Sequence, residues 1–298
     1  EKKYDVDILI SGCNYIINTK LKIKYQFKGF TFAINDNGQV SYLRSFFGNN
    51  LISFFFDIYR LDLKEYDFII SDFEPITAWA GKFKNKPTLQ MSHQSSLFSI
   101  KSPRPQKIDR LAEFFIRWYS PCDKYIGFHF DEYDKNIHKP LLRQKILDAK
   151  PSIGDYYVVY LWNYSIEFMK NIFSEFSNYE FKIFDSNINE KRLVGNCEIF
   201  PTSDDVFFQA ILNCKGVICG AGFELPAEVM YLKKELYVIP IGNQYEQQCN
   251  AQALIEMGID SCLTLNKEDL GDWLNNTNKD YKVIEVSDPG KIIEAIDM

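Results

Sequence analysis

The chain has no apolar run long enough to cross a membrane, no CxxC pair and no excess of basic residues. A membrane-spanning helix needs about 20 consecutive apolar residues, so the sequence predicts none. The seven cysteines are scattered and odd in number, which indicates a reducing compartment with neither a disulfide framework nor a zinc site. The net charge of −6 argues against nonspecific binding to nucleic acid. We therefore expect a cytoplasmic protein with no nucleic acid among its partners.

Short apolar segments alternate with segments of helical periodicity along the 298 residues. In the first half, YDFIISDFEP and PTLQMSHQ are typical of strands, whereas ITAWAGKF and the stretch from Arg110 to Tyr119 are typical of helices. A second series of strands and helices begins near Asp155. This alternation predicts parallel sheets, and the length accommodates two domains. We therefore predict an α/β protein with an N-terminal domain at 1–150 and a C-terminal domain at 151–298.

The segment GVICGAGFELPAE combines a strand, a turn of small residues and the start of a helix. In parallel sheets, ligands bind beyond the carboxyl ends of the strands. Gly220 and Gly222 are expected to let the backbone bend sharply and approach a ligand closely, and the helix N-terminus suits a phosphate. Glu228 follows Glu224 by four residues, so both lie on one helical face. A carboxylate at that place can accept two hydroxyl protons of a ribose.

The next junction, VIPIGNQYEQQCNA, repeats this arrangement, with Glu246 and Gln247 at the start of a helix. Structural explanations exist for both acidic residues. Glu224 would complement the helix dipole, and Glu246 would form a capping box with Asn243. Successive strand ends are usually neighbours in space, which favours a ligand site at the two junctions together.

The N-terminal half is expected to supply the opposite wall of a cleft. Asp72 and Glu74 end one predicted strand in SDFEP and should project into it, although an N-cap role explains Asp72 equally well. His93 and Gln94 end the following strand. A histidine there can take a proton from an acceptor hydroxyl near neutral pH, and the alternative is a loop histidine bonded to backbone. Among residues expected to be structural are His129, His138, Asp204 and Asp205.

CGAGFELPAEVMYLKKELYVIPIGNQYEQQCNAQALIEMG resembles the C-terminal signature of glycosyltransferase family 28 and its relatives. IISDFEPITAWAGKFKNKPTLQMSHQ resembles the N-terminal half of a bacterial and archaeal subgroup of predicted glycosyltransferases. The resemblance implies the GT-B architecture, two Rossmann-like domains that face a cleft. It also implies transfer of a sugar from a nucleotide sugar, a UDP-sugar above all, to an acceptor hydroxyl without a metal or other cofactor. A nucleotide-sugar epimerase and a non-catalytic nucleotide-sugar-binding scaffold are the alternatives.

The resemblance also implies roles for individual residues. Glu228 would hold the ribose, Glu246 and Gln247 the sugar hydroxyls, residues 220–223 would border the diphosphate, and the PTSDD loop would lie near the base. The donor-binding candidates are Gly220, Ala221, Gly222, Phe223, Glu224, Glu228, Gln244, Glu246, Gln247, Asn250, Thr202 and Ser203. The catalytic candidates are His93, Asp72 and Glu74, with Gln94 on the acceptor side.

Two features depart from the family pattern. Family members open with a strand and a glycine-rich loop that ends in histidine, whereas this chain begins with EKKYDVDILISG, so the first strand of the N-terminal domain is expected to be missing. In addition, Trp162 and Asn163 stand where the peptidoglycan enzymes have a glycine-rich diphosphate loop. The family pattern therefore does not carry a diphosphate contact over to Trp162 and Asn163.

Residues 101–121 form a basic stretch in an acidic chain. Within it Leu111, Phe114, Phe115 and Trp118 recur at the spacing of one helical face. Such a segment can lie on an anionic membrane surface, which would imply a lipid-linked rather than a soluble carbohydrate acceptor and a location at the inner face of the membrane. The favoured explanation is that the aromatic face packs on the N-terminal domain, as any core-facing helix does.

Overall fold

The computed structural model describes residues 4–12, 22–30, 48–276 and 283–296. Within these residues the strands form sheets of two, four and seven strands. The strands are β1 Ile8–Ser11, β2 Ile23–Phe27, β3 Ile69–Ser71, β4 Thr88–Ser92, β5 Lys124–Phe128, β6 Ile137–His138, β7 Tyr156–Tyr160, β8 Glu180–Asp185, β9 Arg192–Val194, β10 Cys197–Pro201, β11 Gly216–Cys219, β12 Glu235–Val238 and β13 Asp260–Ser261.

The helices alternate with these strands. A short 3₁₀ helix, Gln94–Phe98, follows β4. The α-helices are α1 Leu51–Arg60, α2 Pro75–Phe83, α3 Arg110–Tyr119, α4 Gln144–Leu147, α5 Ile166–Phe173, α6 Asp204–Asn213, α7 Glu224–Tyr231, α8 Tyr245–Glu256, α9 Lys267–Asn275 and α10 Pro289–Ile296. The predicted α/β class with parallel sheets is confirmed.

The first half is built on a four-stranded parallel sheet in the order β3-β4-β5-β6. Strands β1 and β2 pair in parallel as a separate sheet. Helix α2 begins at Pro75, whose fixed φ suits the first helical position. It buries Ile76 and Ala80 against Ile58 and Ile69, which gives this half one apolar cluster.

The second half is built on the sheet β13-β12-β11-β7-β8-β10-β9. Neighbouring strands are parallel except β9, which is antiparallel to β10. In the central strands Val158, Val159, Val217 and Ile218 are fully buried. Strands covered on both faces have nearly continuous apolar sequences, which explains the runs YYVVYLW and GVICG.

The seven-stranded sheet reverses its strand order between β7 and β11. The chain runs from β7 to β8 and β10 on one side, and then crosses to β11 on the other side. Ligands of open α/β sheets bind in the crevice at such a reversal, outside the carboxyl ends of the strands. Residues 220–223 leave β11 at this point and lead into α7, so the fold places the predicted donor turn at the expected crevice.

The last helix returns to the first half of the chain. Ile292 of α10 packs against Leu89, Ile126 and Phe128 of the four-stranded sheet. The chain therefore crosses between the halves twice, once near residue 150 and once before α10. The division into residues 1–150 and 151–298 remains a prediction. It assigns α10 to the C-terminal domain, whereas α10 packs on the sheet of the first half.

Helix α3 has the predicted bounds, but the predicted packing of its aromatic face is wrong. Leu111, Phe114 and Trp118 are 55%, 57% and 46% exposed. The packed side carries Ala112 and Ile116 instead, which belong to an apolar cluster with residues 97, 245 and 249. In the segments that the structure describes, no helix is both long and apolar enough to cross a bilayer.

Candidate active site

Helix α7 presents Glu228 to a guanidinium from the segment that connects the two halves. Glu228 is only 4% exposed. Its Oε1 accepts from Nε of Arg143 and its Oε2 from Nη2, both at 2.6 Å. This hydrogen-bonded pairing raises the pKa of Arg143, and the charges of Glu228, Glu224 and Asp204 raise it further, against the opposing effect of burial. Arg143 therefore binds Glu228 and lies close enough to Glu224 and Asp204 to be influenced by their charges.

A pocket of about 130 Å³ lies beside this ion pair. Its walls are residues 140–143 of the connecting segment and Phe223, Glu224, Ala227 and Glu228 of the α7 region. No sequence pattern marked Arg143, because its partner lies 85 residues away in the chain. The wall formed by residues 140–143 is the part of this pocket that the sequence did not predict.

The glycines of the predicted turn act differently from the expectation. Neither Gly220 nor Gly222 has a positive φ, so the turn does not require glycine for a left-handed backbone. A Cβ at Gly220 would lie 3.4 Å from Oε1 of Gln247, whereas a Cβ at Gly222 would meet nothing within 4 Å. Gly220 thus allows close packing against α8, and Gly222 leaves space next to α7.

The first polar residues of α8 have different partners: Glu246 contacts the other half, and Gln247 contacts the turn that precedes the helix. The alternative explanation of Glu246, a capping box with Asn243, does not fit the helix start, because the helix begins at Tyr245 with Gln244 as the N-cap residue. Its Oε2 instead accepts from Nε2 of Gln94 at 3.1 Å. Gln247 is 8% exposed, and its Oε1 accepts from the backbone N–H of residue 241 at 3.0 Å. Gln247 therefore braces the turn that precedes α8.

His93 joins the two halves. Its Nδ1 lies 2.9 Å from the carbonyl oxygen of Phe128, and its Nε2 lies 3.0 Å from Oδ1 of Asn250. Oε1 of Glu246 lies 3.7 Å from the same Nε2. The ring stacks on Phe223 with 4.1 Å between centroids and 8° between planes. The structure thus brings together the predicted histidine and three predicted donor-side residues.

The other two histidines have structural positions. His129 is fully buried, and its Nδ1 accepts from the backbone N–H of Phe130 at 2.9 Å. Burial, followed by the charges of His93 and Arg104, holds the pKa of His129 well below its usual range. Burial also lowers the pKa of His138. Both shifts favour the neutral form of the ring.

The two acidic residues in the turn after β3 have different roles. Glu74, not Asp72, is the N-cap of α2: its carboxylate accepts from the backbone N–H of Ile76 at 2.8 Å and of Thr77 at 2.7 Å. It also accepts from Oγ of Ser11 at 2.6 Å. Phe73 between them has a φ of 51°, a conformation that costs a non-glycine residue energy and is common near functional sites.

Asp72 faces the cleft. Its side chain is accessible to solvent, yet the surrounding protein raises its pKa, chiefly by desolvation and then by the charge of Glu224, with His93 opposing. Because water still reaches the carboxylate, its desolvation is partial and raises the pKa less than full burial would. Asp72, Glu224 and His93 therefore share one electrostatic environment.

The loop after β10 holds the remaining donor candidates. Thr202 and Ser203 are exposed between β10 and α6. Asp204 and Asp205 occupy the first turn of α6, where acidic side chains complement the helix dipole. Across the described residues, no group of three or more histidine, cysteine or acidic side chains is arranged to hold a metal ion.

We predict that Glu74 contributes to stability through the cap. Glu74→Ala should lower the free energy of unfolding by about 1 kcal/mol, because the first N–H groups of α2 lose their acceptor. Asp72→Ala is the matched control two residues away and should leave the free energy of unfolding nearly unchanged. Urea denaturation of both variants measures the difference. Equal stability of Glu74→Ala and the wild type would contradict the capping role.

Two parallel α/β halves that meet at polar strand ends define a GT-B glycosyltransferase fold, as predicted. Residues 2–278 match the family model described as Glycosyl transferase family 1. Because the match spans most of the chain, the protein belongs to this glycosyltransferase family. The closer relation to family 28 remains a prediction. A search of curated proteins found no match.

Solved structures with a similar fold include other glycosyltransferases. The glycotransferase of kitacinnamycin superposes with a TM-score of 0.53 at 11% identity, over 85% of this chain and 79% of that one. The Arabidopsis thaliana protein UGT89C1, complexed with quercetin, gives 0.49 at 11% identity over 83% and 74%. MurG from Acinetobacter baumannii gives 0.46 at 12% identity over 84% and 76%. At these identities the likeness concerns the fold alone.

Proposed function

We propose that the protein transfers a sugar from a nucleotide-sugar donor, a UDP-sugar above all, to an acceptor hydroxyl. The observation that carries this proposal is the convergence of His93 from β4 with Phe223, Glu246 and Asn250 from the strand ends of the second half. A proton acceptor from one half and a donor-side turn from the other then meet at the reversal of the strand order. Family membership supports the transferase class.

On the donor side, the diphosphate lies at the start of α7 and the ribose at Glu228. The N-terminal N–H groups of α7 and the guanidinium of Arg143 supply positive charge next to the pocket. Thr202 and Ser203 lie near the base, and Glu246 is within reach of the transferred sugar. This arrangement stabilises the diphosphate without a metal ion.

In the reaction the acceptor oxygen attacks the anomeric carbon of the donor. A new bond forms between these two atoms while the bond from that carbon to the diphosphate oxygen breaks. His93 takes the acceptor proton, and the positive groups of the donor side stabilise the negative charge on the departing diphosphate. Contact between the halves excludes water, which would otherwise hydrolyse the donor.

Incubation with a UDP-sugar, with and without candidate acceptors, tests this function. Mass spectrometry should show a glycosylated acceptor and UDP in the presence of acceptor. An isomerised sugar nucleotide would instead indicate an epimerase. Binding of the nucleotide sugar without any turnover across an acceptor panel would indicate a scaffold.

We predict that Glu228→Gln weakens UDP binding. Loss of a charged hydrogen bond to the ribose should cost about 1.5–3 kcal/mol, or roughly ten- to a hundredfold in affinity. The control Glu224→Gln lies on the same helix and is exposed, so it should change the affinity less. Calorimetric titration with UDP gives both values. An unchanged affinity in a folded Glu228→Gln variant would rule out the ribose assignment.

We also propose that α3 contacts an anionic membrane and that the acceptor is lipid-linked. Its stripe of Leu111, Phe114 and Trp118 is exposed rather than packed. Basic groups accompany the stripe: Nζ of Lys82 lies 5.3 Å from the ring centroid of Trp118, and Arg117 stacks over the ring of Phe98 at 5.1 Å. Exposed aromatic residues flanked by lysine and arginine are typical of helices that lie in a membrane interface.

We expect the protein to float with anionic liposomes at low salt, and not with neutral ones. The double variant Phe114→Ser with Trp118→Ser should lose most of this binding, because the inserted apolar area is gone. Leu263→Ser is the control, since Leu263 is an 81% exposed residue of the second half. The absence of flotation with anionic lipid at low salt would leave a soluble carbohydrate as the acceptor.

A further inference from the structure

Both ring nitrogens of His93 face oxygen atoms that can only accept hydrogen bonds. On one side the backbone carbonyl of Phe128 lies 2.9 Å from Nδ1. On the other side Oδ1 of Asn250 lies 3.0 Å from Nε2. A neutral imidazole has one N–H donor and one lone pair, so it can satisfy only one of these acceptors. The doubly protonated ring satisfies both.

The orientation of the Asn250 amide is fixed by a second contact. Asn250 is fully buried, and its Nδ2 donates to the carbonyl oxygen of Ala221 at 3.1 Å. If the amide were turned over, its oxygen would face that carbonyl oxygen, and a buried donor would be lost. The turn between β11 and α7 therefore forces Asn250 to present an oxygen to His93.

The groups around the ring match a positive charge. Oε1 of Glu246 lies 3.7 Å from Nε2, and Asp72 interacts electrostatically with both His93 and Glu224. The aromatic face of Phe223 stacks on the ring at 4.1 Å. The neighbouring His129 is buried and accepts a backbone hydrogen bond at its Nδ1, so it remains neutral and adds no positive charge.

We propose that Asn250 is a positioning residue that holds His93 protonated on both nitrogens while the two halves are in this contact. His93 can then take a proton from an acceptor only after Nε2 has released its own proton to solvent and the bond to Asn250 has been broken. The role of His93 as the base rests on the proposed function, whereas the doubly protonated ring does not. Loss of either ring proton leaves one of the two oxygen atoms, of Phe128 or of Asn250, without a donor.

Nitrogen-15 NMR of the histidine rings tests the protonation directly, without any substrate. The chain has three histidines, so a His93→Gln spectrum assigns the His93 signals. The pH midpoint at which His93 loses its second proton should fall by about half to one pH unit in Asn250→Ala, which removes one acceptor. It should rise by a similar amount in Asn250→Asp, which adds a negative acceptor.

The control Gln252→Ala changes the same helix away from His93 and should leave the midpoint unchanged. If Asn250→Ala fails to fold, the isosteric Asn250→Asp decides the question alone. Equal midpoints in the wild type and in Asn250→Asp would overturn the proposal. This outcome differs from failure of the proposed function, which would be an absence of transfer with the NMR shifts still present.

Once an acceptor is known, the pH dependence of transfer provides a second test. The rise of kcat with pH should move to lower pH in Asn250→Ala and to higher pH in Asn250→Asp. A residue with a purely structural role would reduce the rate at every pH by a similar factor and leave the position of the rise unchanged. That result would overturn the positioning role.

Discussion

The contact between the end of β4 and the start of α8 is the constraint on which the site depends. Its polar part consists of His93 with Asn250 and Gln94 with Glu246. Both contacts are partly buried, and a single hydrogen bond contributes only about 0.5–1.5 kcal/mol net. The adjacent apolar cluster, which joins Leu97 and residue 112 to residues 245 and 249, excludes water from one side and makes the contact stable. The polar residues of the two halves can line one cleft only because this packing holds the halves together.

The segment that connects the two halves links the predicted donor side to the same contact. Arg143 lies between the halves in sequence and binds Glu228 in space. Phe223 is in the turn that precedes α7 and stacks on His93. A ligand that moves Arg143 or the residue 220–223 turn therefore also moves the surroundings of the histidine. Under the proposed function, the donor would therefore be linked to His93 through the few residues that separate Phe223 from Glu228 in the chain.

The sequence was sufficient for the parallel α/β class, for most strands and for the bounds of α3, because each depends on local periodicity. It was insufficient where one residue decides the outcome. The alternative of Asp72 as the N-cap of α2 is wrong because Pro75 is the first helical residue, which puts Glu74 at the cap position. The packed face of α3 could not be chosen from spacing alone, since Ala112 and Ile116 share the same helical period. Arg143 left no signal, because its partner is distant in sequence.

The carboxylates of the candidate site differ in what they already bind. Glu74 is committed to a helix cap, Glu228 to Arg143 and Glu246 to Gln94. A ligand can bind one of these carboxylates only if it interacts with it more favourably than the present partner does. The free energy needed to break the existing contact reduces the affinity for the ligand. Asp72 and Glu224 remain accessible and share one electrostatic environment. If the donor binds Glu246 as proposed, it competes with Gln94 for that carboxylate, and donor binding is then thermodynamically coupled to the contact between the halves.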